Sequence, residues 1–172
     1  MLTEIDYFAI EYLCIFMRDE DRVEIFGLQD HDDPLRMAAE ATHMIRNKGR
    51  GRVAWWKGRP AALIALVEIR SGVWEVWSWG TEHYRDCAFE MLRWIRREIP
   101  DILKHCKAHR LQCHSRVGHD EAHKMIRAMG AYQEGPPLRR FGKDGSDYVC
   151  FTWHPGENDG VIFPNYVRPK EA

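Results

Sequence analysis

Val73-Trp74-Glu75-Val76-Trp77-Ser78-Trp79-Gly80 is the stretch from which the architecture can be worked out. A run rich in valine and tryptophan, set between Arg70-Ser71-Gly72 and Gly80, has the composition of a strand. Its period of two puts Val73, Glu75, Trp77 and Trp79 on one face and Trp74, Val76 and Ser78 on the other. Going backward, Ala61 to Ile69 is nearly continuous apolar sequence, as in a central strand. Lys57-Gly58-Arg59-Pro60 is a turn of hairpin length, and Arg52 to Trp56 is a further strand. Three strands in succession form a meander.

Going forward, Thr81 is a candidate cap for a long helix. Phe89, Leu92, Trp94, Ile95 and Ile99 fill its apolar positions, and Arg93, Arg96 and Arg97 lie towards its end. Pro100 is expected to interrupt or kink it, leaving Asp101 to Lys107 as a short second piece. His109 to Ser115 is the next strand, Gly118 a break, and Asp120 to Ala128 a short helix ended by Gly130. A strand starts at Ala131-Tyr132-Gln133-Glu134. Gly142-Lys143-Asp144-Gly145 turns the chain, and Asp147 to Trp153 pairs back.

Ahead of the meander, Tyr7 to Met17 is largely apolar, and its periodicity fits strand and helix alike. Asp19 is the expected cap of a helix running to about Leu28, with Val23, Ile25 and Phe26 on its apolar side. Asp33-Pro34 opens another helix, with Leu35, Ala38, Ala39, Thr42 and Ile45 at helical spacing and Lys48-Gly49 at its end. A meander, a β–α–β crossover and a closing hairpin predict an α/β fold: one domain over residues 1–154, a mixed sheet with helices on both faces. Residues 155–172 are rich in Pro, Gly and Asn and are expected to form an extended C-terminal tail. Its apolar Val161, Ile162, Phe163, Tyr166 and Val167 suit docking on a partner or packing back on the domain.

The chain has 172 residues, a net charge of −1 and 45% hydrophobic residues, values that suit a globular domain and argue against disorder and against an electrostatically driven nucleic-acid binder. No apolar run approaches the ~18 residues of a membrane span. The acidic start is unlike a signal peptide. Five cysteines without framework spacing predict free thiols in a reducing compartment. His105, Cys106, His109, Cys113, His114, His119 and His123 crowd one region. His119-Asp120-Glu121-Ala122-His123 is similar to a zincin helix, with Asp120 where the first glutamate belongs. No single ligand pattern uses all seven, so no metal is expected. Trp55, Trp56, Trp74, Trp77 and Trp79 are expected mostly in the core, with some left as a docking surface. Arg139-Arg140 with Arg93, Arg96, Arg97, Lys104, Lys107 and Arg110 would form a basic patch if the long helix and final hairpin lie close.

The element order, together with Val117-Gly118-His119-Asp120-Glu121-Ala122-His123-Lys124-Met125-Ile126-Arg127-Ala128-Met129-Gly130-Ala131, resembles the GNAT N-acetyltransferases. There a strand end, a short helix and a Gly-Ala or Gly-aromatic pair follow one another in this way. Met17-Arg18-Asp19-Glu20-Asp21-Arg22-Val23-Glu24-Ile25 and Trp79-Gly80-Thr81 resemble a narrower group, the GNAT-like internal virion (core) proteins of T7-like phages. The resemblance spans about Ile10 to Trp153.

It implies an acetyl-CoA site in a V-shaped opening between two parallel strands. The pyrophosphate would lie at the N-terminus of the long helix, where free N–H groups and the positive dipole end meet it. The matching residues are Trp79, Gly80, Thr81, His83, Tyr84 and Arg85. Only Gly80 of the family's glycine-rich loop is present, and Glu82 and Asp86 add negative charge. The family's general-acid tyrosine corresponds to Met125. Glu75 lies on the strand where the family often places a general base, and His114 is a second candidate.

The degenerate loop and the missing tyrosine favour a phage virion-associated or assembly protein on a GNAT scaffold. Its partners would be phage structural proteins met through the tail or exposed tryptophans, in the host cytoplasm or the virion. The alternative is an active acyl-CoA-dependent N-acetyltransferase, and a metal-dependent hydrolase is a remote third. An open cleft between Val73–Gly80 and His109–Ser115 would favour the enzyme. A cleft plugged by tryptophan or methionine would favour the scaffold.

Overall fold

The computed structural model describes residues 1–155, so the predicted tail of residues 155–172 lies, apart from its first residue, outside the described residues. The elements are β1 (Leu2–Thr3), α1 (Tyr7–Ile15), α2 (Asp19–Gly27), α3 (Pro34–Lys48), β2 (Gly49–Trp56), β3 (Arg59–Arg70), β4 (Val73–Gly80), α4 (Tyr84–His105), β5 (Arg110–Arg116), α5 (Asp120–Ala128), β6 (Tyr132–Gln133) and β7 (Tyr148–Trp153). They form an α/β domain around a seven-stranded sheet of order β1-β2-β3-β4-β5-β7-β6. All neighbours are antiparallel except β4 and β5.

The meander follows from turn chemistry and burial. Lys57 and Gly58 both take positive φ, 45° and 79°, the geometry that matches a tight hairpin to the strand twist. β3 is buried on both sides along most of its length, so its run is apolar throughout rather than alternating. One core holds α4 and α5 against Ile64, Leu66, Trp74, Leu111 and Phe151. The other holds α1 and α3 against Val53, Leu63, Val67 and Trp79. The apolar run from Tyr7 resolves as a helix. Asp6 caps it through Ala9 N (3.2 Å), and Ile10, Leu13 and Cys14 seat it on the sheet.

Several local expectations give way. Asp19 is the first residue of α2 rather than its cap; Arg18 holds the cap position without a side-chain bond. Gly49 closes α3 with extended, not left-handed, backbone. It starts β2 instead, and a Cβ there would meet Leu66 O at 2.6 Å. Thr81 precedes α4 by a turn. Its Oγ1 accepts from His83 N at 3.2 Å while His83 takes the cap position. Pro100 does not break α4, which runs on to His105 as one helix. Buried Ile99 and Leu103 anchor both sides of the proline, so packing offsets the lost backbone bond. Val23, Leu35 and Phe89, assigned to apolar faces, are exposed, Phe89 at 74%.

Candidate functional site

β4 and β5 pair only at Val73–Arg110, Trp74–Leu111 and Glu75–Gln112, then part. At one end Gly72 O accepts from His109 N (2.9 Å). At the other, Gly80 O accepts from Arg18 N (2.9 Å) and Gly80 N donates to Asp21 Oδ2 (2.8 Å). The even-numbered residues of β4 therefore turn their main-chain groups towards β5. Val76 and Ser78, beyond the last paired residue, have no β5 residue opposite them. The splay leaves a V with two ladder positions facing into it.

A cavity of about 840 Å³ fills this V and passes through the sheet. The pleat sorts its lining. Val76, Ser78, Tyr84, Ala88, Cys113 and Met125 line it on the α4–α5 side; Glu75, Trp77, His114, Met37, Ala41 and Met44 line it on the α3 side. The cleft is open rather than plugged. Trp79, expected near a cofactor, borders this cavity while its side chain is fully buried in the α1–α3 core.

The carboxylate at the fork is Glu75. Its Oε1 lies 3.0 Å from His114 Nδ1, and its Oε2 accepts from Trp77 Nε1 at 3.3 Å. His114 stacks on Phe141, with ring centroids 5.3 Å apart. The Cys150 sulfur and the Glu75 carboxylate hold the His114 imidazole up, to about 9, against the opposite pull of burial. At neutral pH the ring is an imidazolium. Glu75 and His114 were separate candidates in the sequence; the structure makes them one unit.

Helix α2 crosses the outer end of the V. Asp21 ties it to Gly80, while Glu24 Oε2 accepts from Ser115 Oγ (2.8 Å) and Arg116 N (2.8 Å) and meets His119 Nδ1 (2.9 Å). Two acidic residues of one short helix thus clasp both arms. On the α4 side Tyr84 OH lies 2.8 Å from Ser78 Oγ, and burial raises its pKa and keeps it protonated. Met125 lines the cavity but cannot donate a proton.

The loop expected to cradle pyrophosphate uses its own amides. Besides Gly80, Thr81 N donates to Ala61 O (2.9 Å), His83 N to Thr81 Oγ1, and Tyr84 N to Thr81 O (3.0 Å). The loop's side chains remain. His83 sits between Asp86 and Glu82, and Arg85 bonds Glu121, which ties the first turn of α4 to the first turn of α5.

The His/Cys-rich region disperses. His114 goes to Glu75, His119 to Glu24, and buried His123 packs edge-on to Phe151 (5.0 Å). His119 holds the cap position of α5 rather than its helical face. Among the described residues no group of three His, Cys, Asp or Glu is placed to hold a metal ion. The basic patch also divides. The loop after Arg139-Arg140 packs on α2 through Lys143 N–Gly27 O (2.8 Å), whereas the arginines of α4 lie across the sheet and Arg110 is taken by Glu134.

No family model matches the chain, and no curated protein does. Solved structures share its fold. A ribosomal-protein-alanine N-acetyltransferase from Brucella melitensis superposes with a TM-score of 0.66 at 13% identity, over 90% of this chain and 99% of that one. A spermidine N-acetyltransferase from Vibrio cholerae, in complex with CoA and spermine, gives 0.63 at 14% identity over 90% and 94%. A ribosomal alpha-N-protein acetyltransferase in complex with coenzyme A gives 0.60 at 11% identity over 89% and 92%. The fold is that of the GNAT acetyltransferases.

Proposed function

We propose that this chain is an acyl-CoA-dependent N-acetyltransferase. The observation that carries the reading is the open, two-sided cavity at the β4–β5 fork, with Glu75 at its centre. The residues present fit the pantetheine arm of acetyl-CoA. Val76 and Ser78 offer main-chain groups to an extended amide-bearing arm, the α4–α5 wall is mostly apolar, and Arg85 lies at the outer end. Acetyl-CoA supplies an acyl carbon as a thioester: the amine nitrogen bonds to it, the carbon–sulfur bond breaks, and the sulfur leaves as a thiol.

The protein's own residues manage protons and position. The acceptor arrives as an ammonium ion, and Glu75 takes its proton, directly or through one water. His114 and Trp77 fix both carboxylate oxygens, so the base has one orientation. Tyr84, held by Ser78, is the protonated hydroxyl on the thioester side and takes the place of the absent tyrosine at Met125. Neither the fold nor the neighbours lend support to the virion-associated reading, with its phage partners and placement. No helix among the described residues is long and apolar enough to cross a membrane.

The test is a thermal-shift titration. Acetyl-CoA at ~100 times its dissociation constant stabilises the protein by about 2.7 kcal/mol. A saturable shift, followed by thiol release when an amine is added, is the expected result. No shift at millimolar acetyl-CoA would overturn the reading.

The Arg85–Glu121 bond makes a second prediction. Glu121 occupies the guanidinium that two phosphates would otherwise meet. Glu121→Gln is expected to tighten acetyl-CoA binding about threefold, within the ~0.2–1 kcal/mol range of exposed ion pairs. Affinity for acetyl-pantetheine, which lacks those phosphates, should not change. Calorimetric titration of both ligands checks it; an equal gain for both would remove Arg85 from the phosphate site.

A further inference from the structure

We infer that the acceptor half of the cavity takes a primary amine carried on an apolar alkyl or aryl body, and not a polycation. This rests on the N-acetyltransferase reading and concerns the α3 side of the same cavity.

The wall of that side presented by α3 and β4 is largely hydrocarbon, thioether and indole, with the charged groups towards its rim. Met37, Ala41 and Met44 recur at i, i+4 and i+7, so they form one stripe of α3 facing the opening. Ile25 of α2, Leu28 just after that helix and Trp77 of β4 complete the wall. Methionine adapts its shape to what lies against it, so a pair of methionines suits chains and rings of differing outline.

The charges around this wall already have partners. Asp21 holds Arg18 and the Gly80 amide; Glu24 holds Ser115, Arg116 and His119. At the outer rim Arg36 serves both Asp30 and Glu40, His31 also meets Glu40, and Lys143 pairs with Asp32. Glu75, at the inner end, has the geometry of a base and holds His114.

A polyamine needs carboxylates repeated along its path, one for each ammonium. Here Glu75 is followed by an apolar wall, and the other carboxylates lining this side, Asp21, Glu24, Asp30 and Glu40, each already hold a cationic or imidazole side chain of the protein. A second ammonium would lie against methionine side chains and could reach only carboxylates already paired with Arg36, which costs affinity. Methylene groups in the same place gain it, at roughly fourfold per buried CH₂.

The full chain, saturated with CoA, is titrated with ethylamine, hexylamine, 2-phenylethylamine and spermidine, and binding is followed by calorimetry. Acetylation of the same amines is measured separately by thiol release from acetyl-CoA. Hexylamine and 2-phenylethylamine are expected to bind at least about thirtyfold more tightly than ethylamine and spermidine, allowing for incomplete burial of the ~fourfold methylene steps. Met44→Glu should lower hexylamine affinity about tenfold or more and raise that for spermidine, with the acetyl-CoA thermal shift kept. Should that variant fail to fold, Met44→Ser is expected to reduce the hexylamine preference by severalfold. Spermidine binding as tightly as hexylamine, or a flat series from ethyl to hexyl, overturns the inference while leaving the enzyme reading intact. Loss of the acetyl-CoA shift in the unaltered protein overturns both.

Discussion

Glu75→Gln keeps the acetyl-CoA-induced rise in melting temperature and lowers kcat by about 10²–10⁴-fold, the contribution of a positioned general base. Gln has the size of Glu and can still accept from Trp77 Nε1, so the fork retains its shape; what is lost is the capacity to hold a proton. A kcat within threefold of the unaltered protein would remove Glu75 from the chemistry. KM for the amine should rise less than kcat falls, because the walls that hold the amine body are untouched.

The pH dependence separates the base from its partner. His114 is held at about 9, above the ordinary imidazole value of ~6.5. Its positive charge beside Glu75 is therefore present at neutral pH and lost as pH rises through about 9. That charge faces the proposed base directly, so kcat is expected to change as pH passes through this value. In Glu75→Gln this dependence should vanish, because the carboxylate that the His114 charge faces is gone. The stability effect has a defined sign. A folded pKa raised above the unfolded one contributes stability that is full below ~6.5 and lost through about 9. Glu75→Gln should thus destabilise at pH 6 by about 1–2 kcal/mol, after allowance for solvent screening of a half-buried pair, and by much less at pH 10. Urea denaturation at both pH values measures it.

What could be read in advance was local. The alternation of Val73 to Gly80 sorts the two faces of the cavity correctly, and the bounds of α5 coincide with those read from Asp120 and Ala128. These features depend on residues a few positions apart. The clasp of α2 does not: Asp21 reaches an amide 59 residues away, and Glu24 reaches groups 91 to 95 residues away. The Glu75–His114 pair spans 39 residues. Neither Asp21 nor Glu24 stood out as a site residue, because an acidic helix start is also what capping and the macrodipole favour. The loop before α4 misled in another way. Its sequence shows too few glycines, but only coordinates show that its amides are bound to Thr81 and Ala61. Gly49 satisfied a helix-end rule, yet its glycine answers to the close approach of β3.

The clasp also carries the largest expected loss of stability. Asp21 is 4% exposed; its Oδ1 accepts from Arg18 Nη2 at 2.8 Å and its Oδ2 from Gly80 N. Burial pushes the Asp21 carboxyl up, Arg18 and the Gly80 amide pull it back, and the balance is upward. Arg18 is confined as well, its guanidinium 4.3 Å from the centre of the Tyr84 ring. Taking two charges out of water is costly, and removing one partner leaves the other buried without its counter-charge. Asp21→Ala is therefore expected to cost about 3–5 kcal/mol, a fall in Tm on the order of 10 °C for a domain of this size. Asp21→Asn should do little better, since its amide would turn N–H groups towards Arg18. Replacing both, as Arg18→Leu with Asp21→Leu, should recover part of the loss: two apolar side chains require no counter-charge, while the Gly80 N–H still lacks its acceptor. Chemical denaturation of the single and double variants gives the coupling directly. Losses that simply add would mean that Asp21 and Arg18 stabilise the fork independently, and a loss under ~1 kcal/mol for Asp21→Ala would mean that α2 is held by Glu24 alone.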